Sequence, residues 1–411
     1  MWNRKTGKAL HNAVVWLDNR TNDTVKQLIE KTPSKNANHF KDKVGLPISP
    51  YFSAVKLKWL QDNIPEVLAA GEDLLFGTVD SWLIWNLTRS TTTPGIHVTD
   101  VTNASRTMLM DLETLKWDNG MCEFFGVNPT ILPEIKSSSE IYGTMSSGPL
   151  DGKPICGCLG DQQAALYGQQ CLVPGEAKCT YGTGCFLLSN TGNKIVKSKH
   201  GLLTTVGYKI GEADPVYALE GAVAIGGEVV RWLRDNLGII ESSKDIEGLA
   251  AQVEGSHDVF FVPAFSGLYA PYWDATARGL IIGITAYTTK AHIARASLEA
   301  VCFQVCEILE SMDADSGVKL TTLKGDGGMT PNKLFVQLQA DILGIPIQCS
   351  VMSECTALGA GIAAATALGI WNVEQIPGEV YTVHPKLCEE KRLERLGRWK
   401  EAVQRSLGWA K

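Results

Sequence analysis

The stretch PICGCLGDQQAALYGQQCLVPGEAKCTYGTGCFLLSN, Pro154 to Asn190, decides the fold. PICGCLGD reads as a short strand that meets a glycine turn, and QQAALYGQQ follows as a helix. Pro174 and Gly175 then break the pattern, and two strand-type runs on either side of TYGTG form a hairpin. Downstream the alternation continues. AIGGEVVRWLRDNLG, AHIARASLEAVCFQVCEILESM, TPNKLFVQLQADILG and TALGAGIAAATALGI are helical by period, with short strands in DVFFVPA, LKGDGG and IPIQCS between them. Such alternation predicts an α/β fold with a covered sheet.

Upstream, Trp2 to Asp18 is read as strand, turn, strand, with LHNAVVWLD as the second strand. Residues 21–70 are read as helices and loops, with Val55, Trp59 and Leu60 on one helix face, and VDSWLIWNLT continues in the same style. A chain of 411 residues exceeds what one hydrophobic core usually supports. Two domains are therefore expected, 1–169 and 170–411.

Composition excludes several classes. The net charge is −6 and no Lys/Arg-rich block occurs, so no nucleic-acid partner is expected. No run of about 18 apolar residues marks a transmembrane segment, and MWNRKTGKAL lacks a signal-peptide core, which predicts a cytoplasmic chain. Eleven cysteines scattered through apolar segments fit buried thiols. Cys156 and Cys158 have no neighbours at zinc spacing, and Cys302 and Cys306 share a helix face, so no metal site is expected from cysteine.

Three glycine turns carry candidate chemistry. TYGTGCF can turn backbone N–H groups and hydroxyls toward an anion, although a plain hairpin explains it as well. LKGDGGMTPNKLF runs from a strand into a helix whose expected cap is Thr330 and first residue Pro331, leaving a helix N-terminus open to phosphate. EGAVAIGGEVVRWL places Gly226 and Gly227 in a helical pattern, where each costs about 1 kcal/mol against Ala, so either close approach by a flat group or tight packing is implied. Asp161 stands where an α/β sheet presents ligand-contacting groups, but Asp is also a good N-cap for the helix that follows.

YFSAVKLKWLQDN (51–63) and GLIIGITAYTTKAHIARASLE (279–299) resemble the two signature patterns of the FGGY family of carbohydrate kinases. With HNAVVWLDNRT, GDQQAAL, TYGTGCFLLSNTG, FVPAFSGLYAPYWD and DGGMTPN, the chain is similar to that family's glycerol kinases, of animal type, over essentially its whole length. The resemblance implies an actin-like, ribonuclease H-like pair of α/β domains with ATP and glycerol in the cleft between them. It also implies the cofactors ATP and Mg2+. Asp161 matches the base that takes a proton from a terminal glycerol hydroxyl as its oxygen attacks the γ-phosphorus. Gln162 matches a residue that hydrogen-bonds glycerol, while Gln163 is expected to be structural. Trp16, Tyr51 and Phe186 match the aromatic glycerol positions. Thr183 and Gly184 match the phosphate turn, Gly226 the loop beside the nucleotide, and Gly328 with Asn332 the adenosine-contacting helix start. Val230 departs from the pattern, since bacterial members carry Gln there.

Trp2 aligns just beyond an Arg-Glu pair that binds glycerol in the family. The resemblance thus implies an N-terminally truncated first domain and impaired turnover. It also leaves open a homo-oligomer, association with the mitochondrial outer surface, a kinase acting on another polyol or sugar, and a non-catalytic regulatory protein.

Overall fold

A computed structural model describes residues 1–352, 354–371 and 379–410. Its centre is a seven-stranded sheet built from β1 (Ala177–Tyr181), β2 (Cys185–Gly192), β3 (Leu203–Tyr208), β4 (Val216–Val223), β5 (Leu323–Asp326), β6 (Ile347–Ser350) and β7 (Val380–Val383). The spatial order is β7-β6-β5-β1-β2-β4-β3. β5 runs parallel to β1 and β6, and the remaining neighbours are antiparallel. The expected hairpin is β1–β2, with Tyr181 opposite Cys185.

Eight helices matter below. They are α1 (Ser53–Asn63), α2 (Val79–Thr88), α3 (Asp161–Gly168), α4 (Glu228–Asp235), α5 (Lys290–Ser316), α6 (Lys333–Leu343), α7 (Cys355–Ala367) and α8 (Glu389–Ser406). The period of two in β1 and β2 divides the sheet into two unlike faces. Cys179, Tyr181, Cys185 and Leu187 join Leu219, Leu323 and the apolar side of α5 in the largest core cluster. Burying each large apolar side chain of α5, such as Phe303 or Ile308, contributes about 1.5–3 kcal/mol. Its start is fixed by a capping box between Thr289 and His292, and its end by Gly317 in the left-handed conformation. The opposite face presents Lys178 and Thr180 from β1, Phe186 and Leu188 from β2, and Glu220 from β4, with α3 and α7 packed over part of it.

The crossing of α3 and α7 is close because glycines line it. A Cβ built on Gly359 would lie 1.9 Å from the Ala164 carbonyl oxygen, and one on Gly168 would lie 2.2 Å from that of Cys355. This crossing holds the N-terminus of α3 at the edge of the sheet's polar face.

Three local expectations need correction. LHNAVVWLD forms no strand: Trp2–Asn3 pairs with Leu74–Leu75, Ala9 bridges Trp2, and no strand partner is recorded for residues 14–17 among the described residues. Gly226 and Gly227 are not inside a helix. α4 begins at Glu228 with Gly227 as its cap, because their N–H groups bond backwards to Thr183 and Gly182 instead. The helix expected from Thr330 begins at Lys333, since the Asn332 side chain accepts from the Phe335 N–H at 2.8 Å while the Thr330 hydroxyl donates to the Gly327 carbonyl. The cysteines are free, with ten buried and Cys388 exposed.

Candidate active site

Asp161 is the first residue of α3, and its capping alternative fails: the cap is Gly160, and no side chain caps the helix. The carboxylate is exposed, with one recorded bond, from the Gln162 N–H to Oδ1 at 2.8 Å. The carboxylate therefore remains available to a ligand.

An aromatic wall stands beside it. The Trp16 ring meets Tyr51 at 5.7 Å and Phe186 at 6.0 Å between centroids, both edge-on. Trp16 is 45% exposed, so the wall opens to solvent and is not sealed core. Burial first, and then the Glu220 carboxylate, push the Tyr51 phenol up to about 12, with Asp161 adding in the same direction. The phenol therefore stays protonated and offers one donor and one acceptor at neutral pH.

Behind the wall lies a set of buried charges. Arg106 donates to Glu220 at 2.8 Å, with its guanidinium 5.4 Å above the Phe52 ring and 6.0 Å above that of Tyr51. Arg106 Nη1 and Glu220 Oε2 are buried without partners. Lys178 is fully buried. Its ammonium donates to Gln162 Oε1, to Thr180 Oγ1 at 3.0 Å and to the Phe186 carbonyl at 3.4 Å. Burial pulls Lys178 down, while Asp326, Glu220 and Asp161 among its neighbours act the other way. Gln163 is buried and reaches Thr205 Oγ1 at 3.3 Å, as a structural residue would. Asp80, which accepts from Asn103 Nδ2 at 2.7 Å, is raised to about 6 by burial, with the Asp100 and Asp161 carboxylates adding to the rise.

The glycine turns converge beyond Phe186. Gly226 N donates to the Thr183 carbonyl and Gly227 N to that of Gly182, each at 2.8 Å. A Cβ on Gly226 would meet Cys185 Sγ at 2.8 Å, so the close approach foreseen there is made by the 182–184 turn. A Cβ on Gly227 would lie 3.6 Å from Met329, which brings the loop after β5 to the same place. Thr183 and Gly328 are exposed there, Gly184 is buried under Val223, and Asn332 serves as the cap of α6. Val230 is buried in α4.

Sequence reading missed Lys178, Arg106, Glu220 and Asp80. One signal was present for Lys178: a lysine between Ala177 and Cys179 in a strand destined for the interior. No comparable signal marks Arg106, whose partner lies 114 residues away.

Among the described residues no group of three or more His, Cys, Asp or Glu side chains is placed to hold a metal ion, and no helix is long and apolar enough to cross a membrane. One exposed carboxylate such as Asp161 nonetheless fits magnesium, which is commonly held by one or two carboxylates together with substrate phosphates.

A glycerol kinase of Brucella anthropi is 54% identical over 415 residues, covering 100% of this chain and 82% of its own length. One of Rhizorhabdus wittichii is 51% identical, covering 100% and 81%. These relatives are bacterial, so the expectation of an animal type is not borne out. Among solved structures, Plasmodium falciparum glycerol kinase with ADP superposes with a TM-score of 0.92 at 42% identity, over 99% of this chain and 81% of that one. A gluconate kinase of Lactobacillus acidophilus, 22% identical with a TM-score of 0.82 over 98% and 80% of the two chains, shares the fold. The N-terminal domain of the FGGY family of carbohydrate kinases matches residues 1–168 and the C-terminal domain matches 177–368; the chain belongs to that family.

Proposed function

We propose that this chain transfers the γ-phosphoryl group of ATP to a terminal hydroxyl of glycerol. The observation that carries the reading is the exposed, uncapped Asp161 carboxylate at the start of α3, beside an open wall of Trp16, Tyr51 and Phe186, in a chain 54% identical to a glycerol kinase. The rings give apolar cover to the carbon spine, and Gln162 with the Tyr51 hydroxyl supplies polar partners. Asp161 accepts the hydroxyl proton as the oxygen attacks, a role that asks for position and one vacant lone pair. Thr183 and Gly328 offer the exposed surface that receives ATP, with Gly184 and Gly226 shaping the turns beneath it and Asn332 fixing the adjacent helix start. Magnesium would enter with the nucleotide and neutralise charge on the phosphates, leaving Asp161 free to accept the proton.

In this reading residues 1–169 form the substrate side and 170–411 the nucleotide side, a division supported by the two matched family domains. The chain is read as cytoplasmic.

The test is ATP-dependent formation of glycerol 3-phosphate by the purified chain, beside Asp161→Asn and a panel of polyols and sugars. Turnover of glycerol that the substitution abolishes is expected. A strong preference for another polyol would move the reading to a different substrate within the family.

A further inference from the structure

Lys178 is the one fully buried lysine among the described residues, and its surroundings are specific. An ammonium has three N–H donors and no acceptor. Three oxygens surround this one: Gln162 Oε1, Thr180 Oγ1 and the Phe186 carbonyl. The first belongs to the residue after Asp161, and the last to a member of the aromatic wall. Thr180 shares a face of β1 with Lys178, so the strand's own pleat assembles part of the cradle.

A glutamine amide can present either its oxygen or its NH2 group to a ligand, and at Gln162 the choice is constrained. Turning the amide over would set an NH2 donor against the ammonium and leave one buried N–H without an acceptor, an expensive state for a charged group. The oxygen is thus committed inward, and no protein partner is recorded for Nε2 among the described residues.

We propose that Lys178 is a positioning residue for the phosphoryl transfer: it locks the Gln162 amide with its oxygen inward, so that the pocket offers the substrate a pair of N–H donors beside Asp161. The inference rests on the reading of this site as the glycerol-binding site. It gives Gln162 and Asp161 opposite polarity toward substrate. Asp161 accepts the proton of the reacting hydroxyl, and Gln162 donates to a hydroxyl oxygen, so one polyol satisfies both without competition between them. A carboxylate at position 162 would give the substrate two acceptors and no donor.

The test is a double-mutant cycle on the full chain, with Lys178→Met, Gln162→Leu and the pair together, read as kcat and KM for glycerol and as glycerol binding followed by tryptophan fluorescence. If Lys178 acts through Gln162, Lys178→Met lowers kcat/KM about 10- to 100-fold in the parent, a loss typical of a misplaced substrate. In the Gln162→Leu background the same substitution costs less than about threefold. Lys178→Gln retains an N–H donor without the charge and restores activity at least about threefold over Lys178→Met. Equal losses in both backgrounds would overturn the proposal, as would unfolding of the chain by either Lys178 substitution, which would make the lysine structural. If the parent prefers a different polyol, the glycerol reading fails while the cycle, run on that polyol, still decides the role of Lys178. A chain that neither binds nor phosphorylates any polyol overturns both.

Discussion

Gly359→Ala tests whether the glycine-lined crossing of α3 and α7 is what places Asp161. The added methyl would sit 1.9 Å from the Ala164 carbonyl oxygen, 2.7 Å from its carbon and 2.9 Å from the Gly168 nitrogen. Ordinary contact begins near 3.4 Å, so the two backbones must separate by about 1.5 Å. Neither obstacle is a flexible side-chain tip that can swing aside. Helix propensity works in the opposite direction, since Ala in place of a mid-helix Gly gains about 1 kcal/mol. Overpacking costs about 1–3 kcal/mol, and rigid backbone at 1.9 Å puts this clash in the upper half of that range, so a net loss of about 1–2 kcal/mol is expected. For a domain of this size, that lowers the melting temperature by about 2–8 °C. Activity should suffer more than stability. Ala164 lies one helical turn from Asp161, and a displacement near 1 Å at a reacting group costs about 10²-fold in rate. The assay is ADP release dependent on glycerol, with calorimetry on the same samples. Gly361→Ala, on the same helix but with open space at its Cβ, is the control and should gain stability and keep full activity. A Gly359→Ala protein within twofold of the parent in kcat/KM, with an unchanged melting temperature, would refute the reasoning.

Three further outcomes follow from the charges around the site. Asp161→Asn should lower kcat about 10²–10⁴-fold, the usual contribution of a general base, while leaving the melting temperature near that of the parent; retained turnover would remove Asp161 from the role. Asp80 has a folded pKa raised from 3.8 to about 6, so the fold disfavours its ionised form: the cost is absent below about 4, grows between 4 and 6, and is complete above 6. Asp80→Asn should therefore gain about 3 kcal/mol at pH 8 and almost nothing at pH 4, and thermal midpoints that differ by a constant amount across that range would contradict it. Arg106→Leu leaves the Glu220 carboxylate buried and unpaired, which should cost about 3–5 kcal/mol in denaturant unfolding, and adding Glu220→Leu should return most of that loss.

The sequence made the ordering of strands and helices after Pro154 readable because each element there carries its own period and its own breaker. PICG, the β1–β2 hairpin and the helices α5 and α7 all lie where the pattern puts them. Reading failed where a distant partner overrides local preference. Val14 to Leu17 have strand-forming side chains but no strand beside them, and Trp16 docks on Tyr51 and Phe186 instead. Gly226 and Gly227 look helical until the 182–184 turn captures their N–H groups. Thr330 and Asn332 are both plausible caps, and only the loop geometry decides between them. For the site, resemblance pointed to Asp161 and to the three rings, which the structure packs against one another. The charges behind them were silent, because Arg106 and Glu220 meet only after the chain has folded and nothing in NASRT or YALEGAV announces a buried ion pair.

Trp16 stands at a junction between chain halves. Its contact with Tyr51 is made within residues 1–169, whereas its contact with Phe186 reaches across to β2 of the large sheet. Any hinge movement that widens the cleft must separate the second pair of rings and can leave the first intact. The indole would therefore report any such opening as a change in its environment. Asp161 and Phe186 are joined through Lys178, which bonds both Gln162 and the Phe186 carbonyl, so a movement that loosened the ring contact would carry Trp16 and Tyr51, and not Phe186, away from the base.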